Sequence, residues 1–465
     1  MRRVKAALAA AAALATSSCA STGPEPAPPA IGIPAAYKEA QGWQPAGASV
    51  PEAGRWWALF RDPTLSGLEE RVEAGNPNLA AAAARYAQAQ GLVGQARADR
   101  FPQVALSADA SRQRVSAGRP GSPGTAATYN NLSLGAALDY ELDLFGRVRN
   151  SVRASEAAAQ ASVSDVAAVR LGLQAQLASA YFDLRGLDAR TLLLRQTVAA
   201  YQRAFDLTAT RHEGGIASGI DVSRARNLLG SARAELSSVA IARQRDEHAI
   251  AILIGEAPAG FSIPLEAGMI APPSVPAGLP SALLERRPDI AAAERRVAEA
   301  NARIGVARAA LFPAISLGGA GGFQAAGVGL LSASNAFWAL GPLSAALSIF
   351  DGGRRRAGVR IARAQYDETV ANYRETVLTA FREVEDDLAG QRLLASQERD
   401  QADAAAGATR TRDLALIRYH DGAADYLEVV IAQTASLDAE RSLLEVRTQR
   451  LTTAVDTIRA LGGTY

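Results

Sequence analysis

The chain has 465 residues, 48% hydrophobic and 21% charged, which excludes a disordered protein and allows substantial buried cores. Lys+Arg 49 against Asp+Glu 47 leaves a formal net charge of +2, without the basic footprint of a nucleic-acid binder, so nucleic acid drops out as a partner. Aromatic content of 6% beside abundant alanine favours long, closely packed helices, and Cys 1 excludes an intramolecular disulfide or a cysteine metal cluster.

The N-terminus accounts for that lone thiol. Met1-Arg2-Arg3-Val4-Lys5 is a positive n-region, Ala6 to Ala15 an apolar h-region too short to span a bilayer, and Thr16-Ser17-Ser18 a small-residue cleavage zone. Residues 1–18 therefore read as a signal peptide, and Cys19 resembles a bacterial lipoprotein site whose thiol is acylated. A covalent lipid is the one added group expected; no other cofactor and no metal is. Residues 19–60 follow as a lipid-anchored, proline-rich segment in which Gly23 to Pro29 is a tether. No later stretch supplies some 18 uninterrupted apolar residues for a transmembrane helix.

The body is duplicated. Asn76-Pro77-Asn78-Leu79-Ala80 through Arg100-Phe101-Pro102 matches Arg287-Pro288-Asp289-Ile290-Ala291 through Leu311-Phe312-Pro313 without a gap. Arg211 to Gly215 with Asp221-Val222 then matches Arg418 to Gly422 with Glu428-Val429. The first repeat spans residues 61–270 and the second 286–465, joined by a proline-rich linker at 271–285. In each, a proline-free stretch, Arg147 to Glu213 and Gly353 to Asp421, carries a coiled-coil seam long enough to reach about 100 Å at 1.5 Å per residue. Asp221 to Gly255 and Asp425 to Leu461 are the returning helices, with helical-hairpin turns at about 214–221 and 422–428.

Ahead of each long helix the apolar period switches to two, giving β-hairpins at about 103–144 and 314–350. Asn131, Ser133, Gly135, Asp139, Glu141 and Asp143 alternate with Leu132, Leu134, Leu138, Tyr140, Leu142 and Leu144, so one face is apolar and the other wet. Segments of about ten residues with this alternation have the length of tilted strands crossing an outer membrane. An open sheet edge is not tolerated in hydrocarbon and four strands cannot close, so two or more chains must pool their strands. Asp139, Glu141 and Asp143 are the expected lumen-facing acids, with a cap near the strand end as the alternative role for Asp143.

Arg286-Arg287-Pro288-Asp289-Ile290, Ala293-Glu294, Ile304-Gly305-Val306-Ala307 and Leu311-Phe312-Pro313 resemble the signature of TolC and OprM-like outer-membrane efflux proteins. Phe350 to Arg354, then Tyr419 to Gly422 with Tyr426-Leu427 and Ala432-Gln433, carry the same resemblance. It implies an α+β membrane protein, a homotrimer whose twelve-stranded β-barrel, four strands per chain, is continued by a long periplasmic α-helical barrel with an equatorial collar. It further implies the outer membrane as location, with the lipid anchor, and a tripartite efflux role beside a periplasmic adaptor and an inner-membrane pump of the RND class. The periplasmic gate would then lie at the hairpin turns, where Asp221 holds the first-turn acid position and Tyr419 the tyrosine before the second turn. Ile431 stands where such proteins frequently have an aspartate, so Glu428 is expected to supply the second carboxylate and Leu427 or Ile431 an apolar constriction.

Nothing in the sequence points to an enzyme. His212, His248 and His420 are dispersed without zinc-ligand spacing, and Gly318 to Gly322 lacks the lysine of a phosphate loop. Two readings compete with the efflux duct: an exit duct for type I protein secretion, and a lipid-anchored coiled-coil spacer without a pore.

Overall fold

The computed structural model describes residues 32–39, 54–118, 124–273, 285–327 and 329–463. The signal peptide, Cys19, the Gly23 to Pro29 tether and most of the linker lie outside them.

Seven helices and four strands order the described chain. Helices α1 (Pro63–Gly75) and α2 (Pro77–Ala98) lead into strands β1 (Gln103–Val115) and β2 (Ala127–Glu141). The long α3 (Arg147–Glu213) then turns back as α4 (Gly219–Leu253). The second repeat follows the same plan with α5 (Pro288–Ala309), β3 (Ala314–Ala325), β4 (Ala336–Ala346), α6 (Arg354–His420) and α7 (Tyr426–Ala460). Helices α3 and α6 are 67 residues each, and α4 and α7 are 35 each, so the duplication extends to element length.

Local chemistry sets the boundaries. The Asp62 carboxylate accepts from the amides of Thr64 and Leu65 at 2.8 and 2.9 Å, and Pro63 occupies the first helical position, where a missing N–H costs nothing. Asn76 repeats the device for α2, accepting from Asn78 and Leu79 while its own amide donates to the Leu253 carbonyl at 2.7 Å.

Two compact units divide the described residues, and both draw on both repeats. One comprises residues 84–163 and 292–374, the other 32–83, 164–291 and 375–463. The sequence halves are thus units of duplication rather than of packing. In the first unit the strands form one antiparallel sheet in the order β1-β2-β3-β4. Phe145 stacks on Phe312 at 4.8 Å beneath it, and a Cβ at Gly305 would meet the Asn150 side chain at 2.6 Å. The second unit buries Trp56, Trp57, Phe60, Tyr181 and Phe182, with Phe60 and Phe182 rings 4.7 Å apart. The end of the expected N-terminal segment therefore belongs to a core, and Tyr37 is buried as well. Among the described residues no helix is long and apolar enough to cross a membrane.

Candidate functional site at the hairpin turns and strand faces

Both long helices end identically. Gly215 and Gly422 hold φ of 72° and 77°, a left-handed conformation that glycine adopts without strain. In each case the next residue's amide, Ile216 or Ala423, reaches back to the Arg211 or Arg418 carbonyl at 2.8 Å, closing a Schellman motif. The returning helices begin with matched caps: the Ser218 hydroxyl accepts from the Asp221 amide at 3.2 Å, and the Asp425 carboxylate from the Glu428 amide at 3.0 Å. Asp221 and Glu428 are therefore equivalent third positions of a duplicated turn.

Their side chains diverge. Asp221 folds back onto its own cap, accepting from the Ser218 amide at 3.2 Å and hydroxyl at 2.7 Å, with Arg224 at 3.6 Å. The longer Glu428 accepts from Arg418 at 2.8 Å, across the turn to the last residues of α6. Leu427 and Ile431 lie one helical turn apart on α7 and are exposed in the single chain, at 39% and 61%. Ile216 and Ile220 are exposed on the other turn.

Tyr419 sits inside, not at the rim. It is buried with Ala225, Ala415, Tyr426, Val429 and Ala432, its ring 5.3 Å from that of Tyr426. Thr208 spends its hydroxyl proton on the Ala204 carbonyl at 2.8 Å, so the Tyr419 hydroxyl is the donor to Thr208 Oγ1 at 3.5 Å. Burial, with the neighbouring Tyr419 and Asp221, pushes the Tyr426 hydroxyl up to about 12, which keeps it uncharged.

Arg211 joins the two hairpins, and the sequence reading did not single it out. Its guanidinium lies 4.6 Å from the centre of the Tyr419 ring and donates to the Tyr419 and His420 carbonyls at 3.0 and 2.9 Å. Those carbonyls belong to the last turn of α6, where the helical amides run out and the helix dipole favours a cation; the Tyr419 carbonyl also accepts from the Gly422 amide of the turn at 3.1 Å. The available signal was the repeat itself, because Arg211 aligns with Arg418. The two arginines nonetheless take different partners, one across hairpins and one within its own. His212 contacts the Ala217 carbonyl at 2.8 Å, and His420 its neighbour Asp421.

On the sheet, register sorts the faces. Gln103, Ser107, Asp109 and Ser111 stand opposite Asp139, Gly135, Ser133 and Asn131. Gln324 and Ser316 extend that polar face opposite Ser133 and Glu141. The other face carries Val104, Leu106, Leu138, Leu134, Leu317, Phe323, Trp338, Leu340 and Leu343. Of these Val104, Leu106, Trp338, Leu340 and Leu343 are exposed at 67–84% in the single chain.

Among the three expected lumen acids only Asp139 lies within the strand and exposed. Glu141, the last residue of β2, is held by Arg147 through bonds of 2.7 and 2.6 Å. Asp143 lies beyond the strand, in the capping place that its position near the strand end left open, and accepts from the Val148 and Arg149 amides at 3.2 and 2.8 Å, because the start of α3 presents N–H groups without helical acceptors. Gly318 to Gly322 run within β3. A Cβ at Gly322 would stand 2.2 Å from the Leu134 carbonyl oxygen, so close strand approach accounts for that glycine. Among the described residues no group of three or more His, Cys, Asp or Glu could hold a metal.

Comparison with known proteins gives one consistent answer. The family model for outer membrane efflux protein matches residues 68–256 and 279–463. The probable efflux pump outer membrane protein TtgC of Pseudomonas putida is 35% identical over 424 residues, covering 90% of this chain and 87% of that one. Outer membrane protein OprJ of Pseudomonas aeruginosa is 38% identical over 380 residues, covering 79% and 77%. The crystal structure of the open state of the Neisseria gonorrhoeae MtrE outer membrane channel superposes with TM-score 0.82 at 28% identity, covering 95% of this chain and 97% of that one. The fold class that the sequence implied is the one these channels share.

Proposed function

The chain belongs to the outer membrane efflux protein family, and from that premise we propose how this exit duct of an efflux system is assembled and closed. Three copies pool their sheets into a twelve-stranded barrel, and their helical hairpins line a periplasmic conduit that passively conducts drugs or other small molecules. A periplasmic adaptor and an inner-membrane pump of the RND class deliver the cargo, and a lipid on Cys19 adds a second hold on the outer membrane. The observation that carries this reading is the sheet: one face is apolar and exposed, and β1 and β4 are edge strands within the chain. In hydrocarbon such edges must be paired, which only further copies can do. The relatives' names speak for efflux over protein secretion, and the apolar strand face speaks against a spacer without a pore.

The closed state rests on the hairpin turns. Arg211, Tyr419 and the last carbonyls of α6 hold the two hairpins of one chain together, while Leu427 and Ile431 offer an apolar constriction and Asp221 and Glu428 carboxylates near it. Single-channel conductance in planar bilayers, with the mass of the purified particle, tests the duct. A trimer giving rare, cation-preferring openings is expected; a monomer without conductance in any preparation would refute it.

A further inference from the structure

The outward face of β1 does not end where its apolar residues end. Val104, Leu106, Ala108 and Ala110 share one parity, and the next two residues of that parity are Arg112 and Arg114, opposite Asn130 and Thr128 of β2. Both arginines are exposed, and among the described residues neither has an ion pair or a side-chain hydrogen bond. At the same height the polar face carries Ser111, Gln113, Tyr129 and Asn131, all uncharged.

Their position relative to a bilayer follows from the strands. The apolar face runs along β3 from Ile315 to Ala325, opposite Ala345 at one end and Leu132 at the other. At about 3.3 Å per residue and a tilt near 40°, that run spans roughly 25 Å, the height of an outer-membrane barrel's apolar band. Ala110 pairs with Leu132 on the last apolar rung, so Arg112 and Arg114 come one and two rungs beyond it, toward the hairpin tips and away from the helices.

Charge at this rim has one sign. Between Ala110 and Leu138 the only charged residues are Arg112, Arg114 and Arg119, and from Gly319 to Phe350 there is none. A strand arriving from a second copy therefore brings no carboxylate to this height, and assembly leaves the guanidiniums unneutralised by protein. Of the acids of the hairpin, Asp139, Glu141 and Asp143 lie toward its base, and Asp109, opposite Ser133, stands on the polar face below Arg112.

Resting on the barrel reading above, we infer that Arg112 and Arg114 form an outward-facing site for the phosphate groups of outer-leaflet glycolipid. Guanidinium suits this partner because its planar fork matches phosphate oxygens in a bidentate manner and sheds water more readily than an ammonium. The apolar rungs beneath take the acyl chains of the same lipid, so headgroup and tails are met by adjoining parts of one strand face. Such contacts fix the depth of the barrel in the membrane.

The test uses the full-length purified protein and Arg112→Gln with Arg114→Gln. Thermal melting is followed against bis-phosphorylated lipid A, dephosphorylated lipid A and inorganic phosphate. The wild type should gain stability with the phosphorylated lipid alone, and the double variant should need about tenfold more of it. An equal response from both proteins, or from both lipids, overturns the inference. Inorganic phosphate reproducing the shift would identify a free-anion site and overturns it too. Reversal potential in a salt gradient should be the same for both proteins; a change would place the arginines in the lumen and end the proposal. A wild-type protein that neither oligomerises nor conducts defeats the duct reading, whereas a conducting trimer indifferent to lipid phosphate defeats this inference alone.

Discussion

Arg211 shows how one side chain can carry an element-to-element contact. It combines a cation over the Tyr419 ring with two bonds to carbonyls of the last turn of α6, contributions together on the order of 2 kcal/mol. Arg211→Gln keeps a donor of similar reach but removes the charge, so the hairpins of one chain should separate more readily. If that contact holds the duct closed, open probability in planar bilayers should rise by up to roughly thirtyfold, at 1.36 kcal/mol per tenfold. Arg418→Gln is the matched control: its partner Glu428 lies in the same hairpin, so the effect should be clearly smaller. Equal effects, or none from Arg211, would show that the inter-hairpin contact does not govern closure. Residues of this kind are only half legible in a sequence. Arg211 and Arg418 stand out as a repeated pair, yet which carbonyl each reaches depends on how two helices turn about one another. The same holds for Asp143, whose parity suggested a strand while an adjoining helix start claimed its carboxylate.

At the scale of elements far more could be read directly. A proline-free seam from Arg147 to Glu213 specified a helix with those bounds, because nothing in it interrupts either the backbone ladder or the apolar stripe. The turns were legible from Gly215 and Gly422, whose conformation other residues resist. The alternation in β2 fixed its faces, since a one-residue slip would invert every side chain. Less visible was the role of the glycines in β3, where spacing between strands decides. A Cβ at Gly322 would stand 2.2 Å from the Leu134 carbonyl oxygen and 2.5 Å from the Gly135 Cα, both backbone atoms that cannot swing aside. At neighbouring Gly321 the nearest atom is 3.6 Å away, an ordinary contact. Gly322→Ala should therefore spread the β2–β3 ladder and cost about 1–3 kcal/mol, seen as lower yield and melting temperature of the assembled protein. Gly321→Ala should be near neutral, and a similar loss from both would indicate that backbone freedom rather than strand spacing selects these glycines.

For the whole molecule the question is which sheet face meets lipid, and adjacent residues answer it. Leu106 and Ser107 share a strand, a height and a high exposure in the single chain, but point to opposite faces. An arginine facing lipid near the bilayer midplane costs about 2–4 kcal/mol, whereas one facing a watery lumen costs little. In a trimer the penalty recurs in every copy, and because a barrel closes only when all edges pair, it bears on assembly rather than on one chain. Leu106→Arg should strongly reduce the fraction recovered as outer-membrane trimer. Ser107→Arg should assemble normally and shift ionic preference away from cations, since its charge then stands on the same face as Asp139 and Asp109. If Ser107→Arg proves the one that blocks assembly, the faces are reversed; Arg112 and Arg114 would then line the lumen, and the conduit would select by a cationic ring at its outer mouth rather than by acids at its base.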